Sequence, residues 1–163
     1  MRPDTTPVAP VVLAPYDAER VDELVPMWRA SFEDGVGIVD PHPIAEQKRY
    51  LLERMLPQHD VRLALVDREL VGFVAANATS VAQLYVRVGW QRRGIGRTLL
   101  DWAKRQSAGS LWLHTFARNR RACAFYERHG FVAIARGFEP MWQLDDVKYF
   151  WSVKLPSTAS STG

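Results

Sequence analysis

Leu84–Gly96, LYVRVGWQRRGIG, is the stretch on which the reading of this 163-residue chain turns. Leu84, Val86 and Val88 alternate with Gln83, Tyr85 and Arg87, the period of a half-buried strand. After Gly94 the apolar positions Ile95, Leu99, Trp102 and Ala103 fall at helical spacing, and Arg97–Asp101 and Asp101–Arg105 form i,i+4 pairs of opposite charge. The segment therefore reads as strand, Arg/Gly turn, helix. A helix start offers unpaired backbone N–H groups and the positive end of a dipole, and glycines let a ligand approach the backbone. With Arg92, Arg93 and Arg97 beside it, such a turn suits a phosphate. No Lys-Ser/Thr follows the second Gly, as a nucleoside-triphosphate loop would need. Leu99 stands where the dinucleotide fingerprint needs its third Gly. A tight strand-to-helix turn with a solvated basic rim would use the same residues, so the loop alone leaves both readings open.

A second motif follows at Asn119–Phe131, NRRACAFYERHGF. Asn119 is a good N-cap and Gly130 a good residue just past a helix end, with Ala122, Phe125, Tyr126 and His129 forming one stripe between them. Before it, Leu111–Phe116 (LWLHTF) has strand composition.

The ordered pair, Gln91-Arg92-Arg93-Gly94-Ile95-Gly96 behind a strand and Asn119, Ala122, Phe125-Tyr126 and His129-Gly130-Phe131 behind the next, resembles the GNAT acetyltransferase superfamily. The close match spans about residues 80–132; the flanks fit by element order. The resemblance implies direct transfer of acetyl from acetyl-CoA to a primary amine in a ternary complex, without a metal. It implies that the backbone around Gln91, Arg92, Arg93, Gly94, Ile95, Gly96 and Arg97 holds the coenzyme pyrophosphate, and that the pantetheine arm pairs with the strand edge at Tyr85–Val88. The Val86 N–H would then donate to the thioester oxygen, where charge grows during attack. Asn119 would hydrogen-bond the pantetheine, and Tyr126 would protonate the leaving thiolate. Each role has a plainer rival: Asn119 as an N-cap alone, Tyr126 as a packed core aromatic. A non-catalytic acetyl-CoA sensor is the alternative function, since the sequence departs from the family in two places. Val88 stands where Pro is common, and Ser80–Gln83 carry no carboxylate on the central strand, so no base is assigned. His114 reads as a structural histidine among apolar strand residues, and His129 as a cation at a helix C-terminus.

Hydrophobic residues make up 47% and charged residues 24% of the chain, which excludes disorder for its body. No window approaches ~18 consecutive apolar residues, so no membrane-spanning helix is expected. The single Cys123 has no partner for an internal disulfide, which fits a cytoplasmic protein. The net charge is +3, with Arg concentrated at 87, 92, 93 and 97 and again at 118, 120 and 121. Coenzyme phosphates account for both clusters. Nucleic acid would too, but no aromatic RNA-binding signature or zinc spacing accompanies them.

The rest of the chain reads as one domain over 11–155, between a Pro-rich lead (1–10) and a small polar tail (156–163) expected to be disordered. The predicted elements are a strand at 11–13, a helix at 17–32 kinked or split by Pro26, and a helix at 44–56. A hairpin at 61–66 and 70–76 follows, then the strand at 81–88 and the central motifs. A strand at 131–135, a loop at 136–146 and a last strand at 147–155 complete the order. This is an α/β layered fold of GNAT type, its mixed and mostly antiparallel sheet flanked by helices. The resemblance puts the acceptor between about 32–46 and 136–146. Acids there, with Phe138, Met141 and Trp142, suit a cationic amine with an apolar body. Trp142 and Trp151 mark either a homodimer surface or core.

Overall fold

The computed structural model describes residues 9–154. The expected polar tail lies outside the described residues, as does all of the expected lead except Ala9 and Pro10. Strands β1 (Val12–Pro15), β2 (Asp60–Val66), β3 (Glu69–Ala76) and β4 (Val81–Val86) form an antiparallel sheet in that order. The β2–β3 connection is only Asp67-Arg68, both at positive φ (48° and 68°), the conformation that a two-residue hairpin with native twist requires. Strands β5 (Ser110–Phe116), β6 (Val132–Glu139) and β7 (Leu144–Ser152) form a second antiparallel sheet in the order β5-β7-β6.

Helix α1 (Val21–Val36) begins four residues later than its pattern suggested, because Asp17 caps a separate 3-10 turn at Ala18–Arg20. Pro26 does not split it. The residue sits on the exposed side, so the carbonyl it leaves without an i→i−4 partner can meet water. Helix α2 (Ile44–Tyr50) continues into a π-helical turn at Leu51–Met55, closed by Leu56 N–H donating to Leu51 O at 2.9 Å. Helices α3 (Ile95–Gln106) and α4 (Arg120–Arg128) stand as the two motifs predicted. The expected loop at 136–146 is instead the end of β6, a short turn and the start of β7. Nearly every β6 residue is exposed, so there is no inside–outside alternation to mark a strand.

Two cores cover the faces of the first sheet. One gathers α3, α4 and the second sheet around Leu99, Leu100, Ala103, Leu111 and Leu113. The other packs Leu24, Val25 and Trp28 of α1 and Leu51 on Leu63 and Phe73.

What matters for function is how the sheets meet. β4 and β5 run parallel side by side, and Ser80–Trp112 is the bridge between them. Trp112 N–H donates to Thr79 O at 3.0 Å, and the turn before β4 is pinned by Asn77, whose Oδ1 accepts from the N–H of Thr79 and Ser80. Joined at their starts, the strands leave a cleft along the rest of their length, lined by Leu84, Tyr85, Leu113 and His114 and closed by Ala122 and Tyr126 of α4.

Candidate active site

The β3–β4 ladder decides which backbone groups face the cleft. Arg87 N–H donates to Val71 O at 2.7 Å, and Phe73 stands opposite Tyr85. Hydrogen-bonded pairs recur every second residue in an antiparallel ladder, so the odd positions of β4 are spent on β3. The N–H and C=O groups of Leu84 and Val86 point the other way. Ser31 of α1 donates its hydroxyl to Val86 O at 2.9 Å, and the Val86 N–H lies on that same side, away from β3. Val88 lies beyond the strand end and is exposed.

Past Val88 the loop uses left-handed conformations at Gly89 (φ 91°), Arg92 (φ 65°) and Gly94 (φ 80°). Gly94 is the N-cap of α3 and no side chain caps the helix. The first N–H turned back into the helix is Thr98 to Gly94 O, at 3.0 Å. The N–H groups of Ile95, Gly96 and Arg97 therefore remain as donors at the helix start. Gly96 sits in a close contact: a Cβ there would lie 3.3 Å from the Phe125 ring, which would have to give by a few tenths of an ångström, and 3.7 Å from Val86 Cγ2. Around the loop, Arg93 stacks over Trp90 with 4.7 Å between guanidinium and ring centre. Gln91 accepts from Gly89 N–H at 3.2 Å, while Arg92 and Arg97 are exposed. Arg87 does not join them, because its Nε donates to Leu70 O at 2.7 Å on the far side of the strand.

At the other wall, Asn119 is both N-cap and cleft residue. Its Oδ1 accepts from Ala122 N–H at 3.2 Å, while the side chain is buried against Gly35 and lines the cleft. Capping uses the oxygen and leaves the amide NH2 as a donor. Tyr126 is buried, with its ring against Tyr149 and Phe131. Burial first, then nearby Tyr85 and Cys123, push its hydroxyl pKa well above the ordinary tyrosine value, so it holds its proton.

The cleft opens into a cavity of about 650 Å³ between α1, α2 and the β6–β7 turn. Its apolar wall includes Trp28, Phe32, Tyr50 and Trp142, and its acids are Asp40, Glu46, Glu139 and Asp146. Trp142 packs against Phe32 and His42, with 5.1 Å between centroids in each case. Asp40 is held internally: it lies 3.4 Å from Arg29 and accepts from His42 Nδ1 at 2.7 Å. Glu139 accepts from Trp142 N–H at 2.6 Å.

The model of the acetyltransferase (GNAT) family matches residues 21–131, which span α1 through α4 and both motifs. The chain belongs to the GNAT acetyltransferase family. A mycothiol acetyltransferase of Thermobifida fusca is 33% identical over 102 residues, 58% of this chain but only 28% of that protein's length. Among solved structures, apo YjaB of Escherichia coli superposes with a TM-score of 0.72 at 20% identity, covering 86% of this chain and 97% of its own. PaiA N-acetyltransferase of Thermoplasma acidophilum, solved in complex with coenzyme A, superposes at 0.70 with 18% identity, covering 88% and 99%. These structural likenesses establish the shared GNAT fold.

Two histidines differ from expectation on this GNAT scaffold. His114 is not a core histidine; it is exposed on the strand face opposite Leu111 and Leu113 and lines both cleft and cavity. His129 is not the cation at the end of α4. Burial, and then Lys104, hold its pKa below the usual imidazole value, and Lys104 itself donates to His129 O at 2.6 Å. Trp151 packs on Phe131 beneath Lys104, and Trp142 packs on Phe32 at the cavity; both are half-buried. Among the described residues, no helix is long and apolar enough to cross a membrane.

Proposed function

We propose that this chain, as a single catalytic unit over residues 11–155, transfers acetyl from acetyl-CoA directly to a primary amine held beside it. The observation that carries the reading is the pair of connected spaces with complementary chemistry. One is a β4–β5 cleft with backbone donors and a buried tyrosine; the other is an aromatic, acid-bearing cavity. The uncapped α3 start, with the N–H groups of Ile95, Gly96 and Arg97 and the nearby Arg92 and Arg93, suits the coenzyme pyrophosphate. The Gln91–Arg97 backbone would hold that end, and the edge from Tyr85 to Val88 would pair with the pantetheine arm. Asn119 can donate its free amide NH2 to the same arm while still capping α4.

Charge grows on the thioester oxygen as nitrogen attacks. The Val86 N–H, fixed by the ladder and by Ser31 on its own carbonyl, meets it without reorganising; one such donor contributes about 3 kcal/mol to the barrier reduction. Tyr126 donates toward sulfur. A thiol ordinarily titrates near ~8.5, well below this tyrosine, so the proton moves only late, as the C–S bond breaks and sulfur becomes most basic.

The acceptor that fits is a cation with an apolar body. Trp28, Phe32, Tyr50 and Trp142 offer faces for such a group, and Glu46 and Asp146 offer charge. The Thermobifida relative is a mycothiol acetyltransferase, but that protein is far longer than this chain, so its acceptor is not carried over. The lone Cys123 is compatible with action in the cytoplasm.

The test is calorimetric titration with acetyl-CoA, then assay of phenethylamine, tryptamine, spermidine, a Lys-Gly dipeptide and glutamate as acceptors. Saturable acetyl-CoA binding with turnover of the cations, and not of glutamate, is expected. Binding without turnover of any amine would favour a sensor instead, and preference for glutamate would overturn the acceptor class.

A further inference from the structure

A protonated amine cannot attack a thioester, and Ser80, Val81, Ala82 and Gln83 give β4 no carboxylate to deprotonate it. The structure narrows where a base can stand. Cleft and cavity share six residues: Ala82, Gln83, Tyr85, His114, Thr115 and Asn119. A donor lying in the cleft and an amine standing in the cavity meet at this common wall. Five of the six cannot accept a proton near neutrality. Ala82 has no polar side-chain atom, Gln83 and Asn119 are neutral amides, Thr115 is an alcohol, and burial pushes the Tyr85 hydroxyl well above its usual range. The sixth is an imidazole.

His114 is presented by β5 on the face opposite the buried Leu111 and Leu113, with its ring edge-to-face on Trp112 at 5.5 Å. Neither ring nitrogen has a hydrogen-bond partner among the described residues. The cavity's other histidine is engaged, its Nδ1 on Asp40 at 2.7 Å, and Asp40 is shared with Arg29. We infer that His114 is the general base of the transfer, taking a proton from the acceptor's ammonium before nitrogen attacks. The inference rests on the acetyl-transfer reading of this site.

The groups facing His114 set the conditions under which it works. Lys148 lies directly across on β7, its Nζ 4.9 Å over the Trp112 ring. Asp146 of β7, Glu139 at the end of β6, and Asp40, His42 and Glu46 from the α1–α2 side line the same cavity, and Tyr85 faces it from β4. The three acids not held by Arg29 favour the incoming ammonium.

The ammonium gives one proton to a neutral ring nitrogen of His114, which later releases it to solvent. The freed lone pair forms the N–C bond at the thioester carbonyl, and the C–S bond breaks with its electron pair going to sulfur. Sulfur takes the Tyr126 proton, and the second proton lost by nitrogen refills Tyr126. The products are amide, thiol and one proton, with no oxidant or reductant.

The test measures kcat/KM against pH for wild type, H114Q and H114A, using the fastest acceptor among phenethylamine, tryptamine, spermidine and the Lys-Gly dipeptide, alongside acetyl-CoA calorimetry. At pH 7, H114Q should lose about 10²-fold or more in kcat/KM while binding acetyl-CoA as wild type does. The acidic limb of the wild-type profile should vanish, and added imidazole should restore turnover to H114A. A limb that survives in H114Q overturns the inference and leaves the transfer reading intact. Loss of acetyl-CoA binding in both variants assigns His114 to the cleft's architecture and also overturns it. A wild type that binds acetyl-CoA and acetylates no amine overturns the transfer reading, and this inference falls with it.

Discussion

Gly72 offers a sharp test of how β3 fixes the site, because it lies in mid-strand opposite Val86. Its substitution by Ala would place a Cβ 2.8 Å from the carbonyl oxygen of Tyr85, 3.3 Å from Leu99 Cδ1 and 3.4 Å from Ile95 Cγ2. Ordinary carbon–oxygen contacts in sheets stand at about 3.3–3.6 Å, so the overlap is roughly half an ångström, and the atom struck is backbone. Leu99 and Ile95 are fully buried in the core that α3 makes and cannot swing aside. β4 itself has to move. Two terms compete: relief of glycine's entropic penalty in a strand favours Ala by about 0.5–1 kcal/mol, and overpacking opposes it by about 1–3 kcal/mol. The net is a loss of about 1–2 kcal/mol, or a melting temperature lower by about 2–8 °C for a chain of this size. The functional effect should exceed the stability effect. The Val86 N–H moves with β4, and a misplacement of ~1 Å can cost about 10²-fold in rate, so half of that shift should cost on the order of tenfold in kcat. Acetyl-CoA affinity, which also draws on the α3 start, should fall less. Thermal melts, acetyl-CoA calorimetry and steady-state turnover on G72A measure all three. A variant as stable as wild type with unchanged kcat would refute the claim that the β3–β4 contact positions the Val86 donor.

Gly94→Glu should abolish acetyl-CoA binding in calorimetry, since it sets a carboxylate and a strained left-handed residue at the helix start proposed for the pyrophosphate; retained micromolar affinity would make that turn merely structural. Tyr126→Phe should keep acetyl-CoA affinity and lower kcat by about 10²-fold, and an unchanged kcat would reduce Tyr126 to a core aromatic. His129 carries the pH prediction. Its folded pKa lies below the usual imidazole value because burial, and then Lys104, disfavour the charged form. Between that depressed value and about 6.5 the unfolded chain binds more protons than the folded one, so stability falls as pH drops through this window. Urea midpoints at pH 7.5 and 5.5 should show a smaller drop for His129→Gln than for wild type; an equal drop would place the acid sensitivity elsewhere.

The two motifs were legible because each rests on local rules. Asn119 and Gly130 bracket α4 by capping chemistry, and Gly94 starts α3 where only a left-handed residue fits. The Val86 donor could be named from resemblance, but its freedom depends on β3 taking the odd positions of β4 and on Ser31 reaching its carbonyl from 55 residues away. No local pattern carries that. Arg87 misled for the same reason: counted with the loop cations by sequence distance, it turns to Leu70 across the ladder.

His114 shows a more general limit. Periodicity distinguishes a buried face from a solvated one by polarity, and it fails where the second face lines an aromatic cavity. β5 does alternate, with Leu111 and Leu113 in the core and Trp112, His114 and Phe116 on the other side. Because Trp112 and Phe116 are themselves apolar, the strand reads as buried on both faces and the imidazole between them as packed. β6 errs in the opposite sense: with almost every residue exposed, its Phe138 and Glu139 read as loop. Both misreadings border the same cavity. An aromatic cavity wall puts apolar side chains where solvent-facing polar ones would otherwise mark the strand, so the segments hardest to assign from pattern are those that border the cavity. His114 interrupts the apolar run on that face, and a titratable imidazole alternating with two buried leucines is the signal by which a cavity-facing position could have been found.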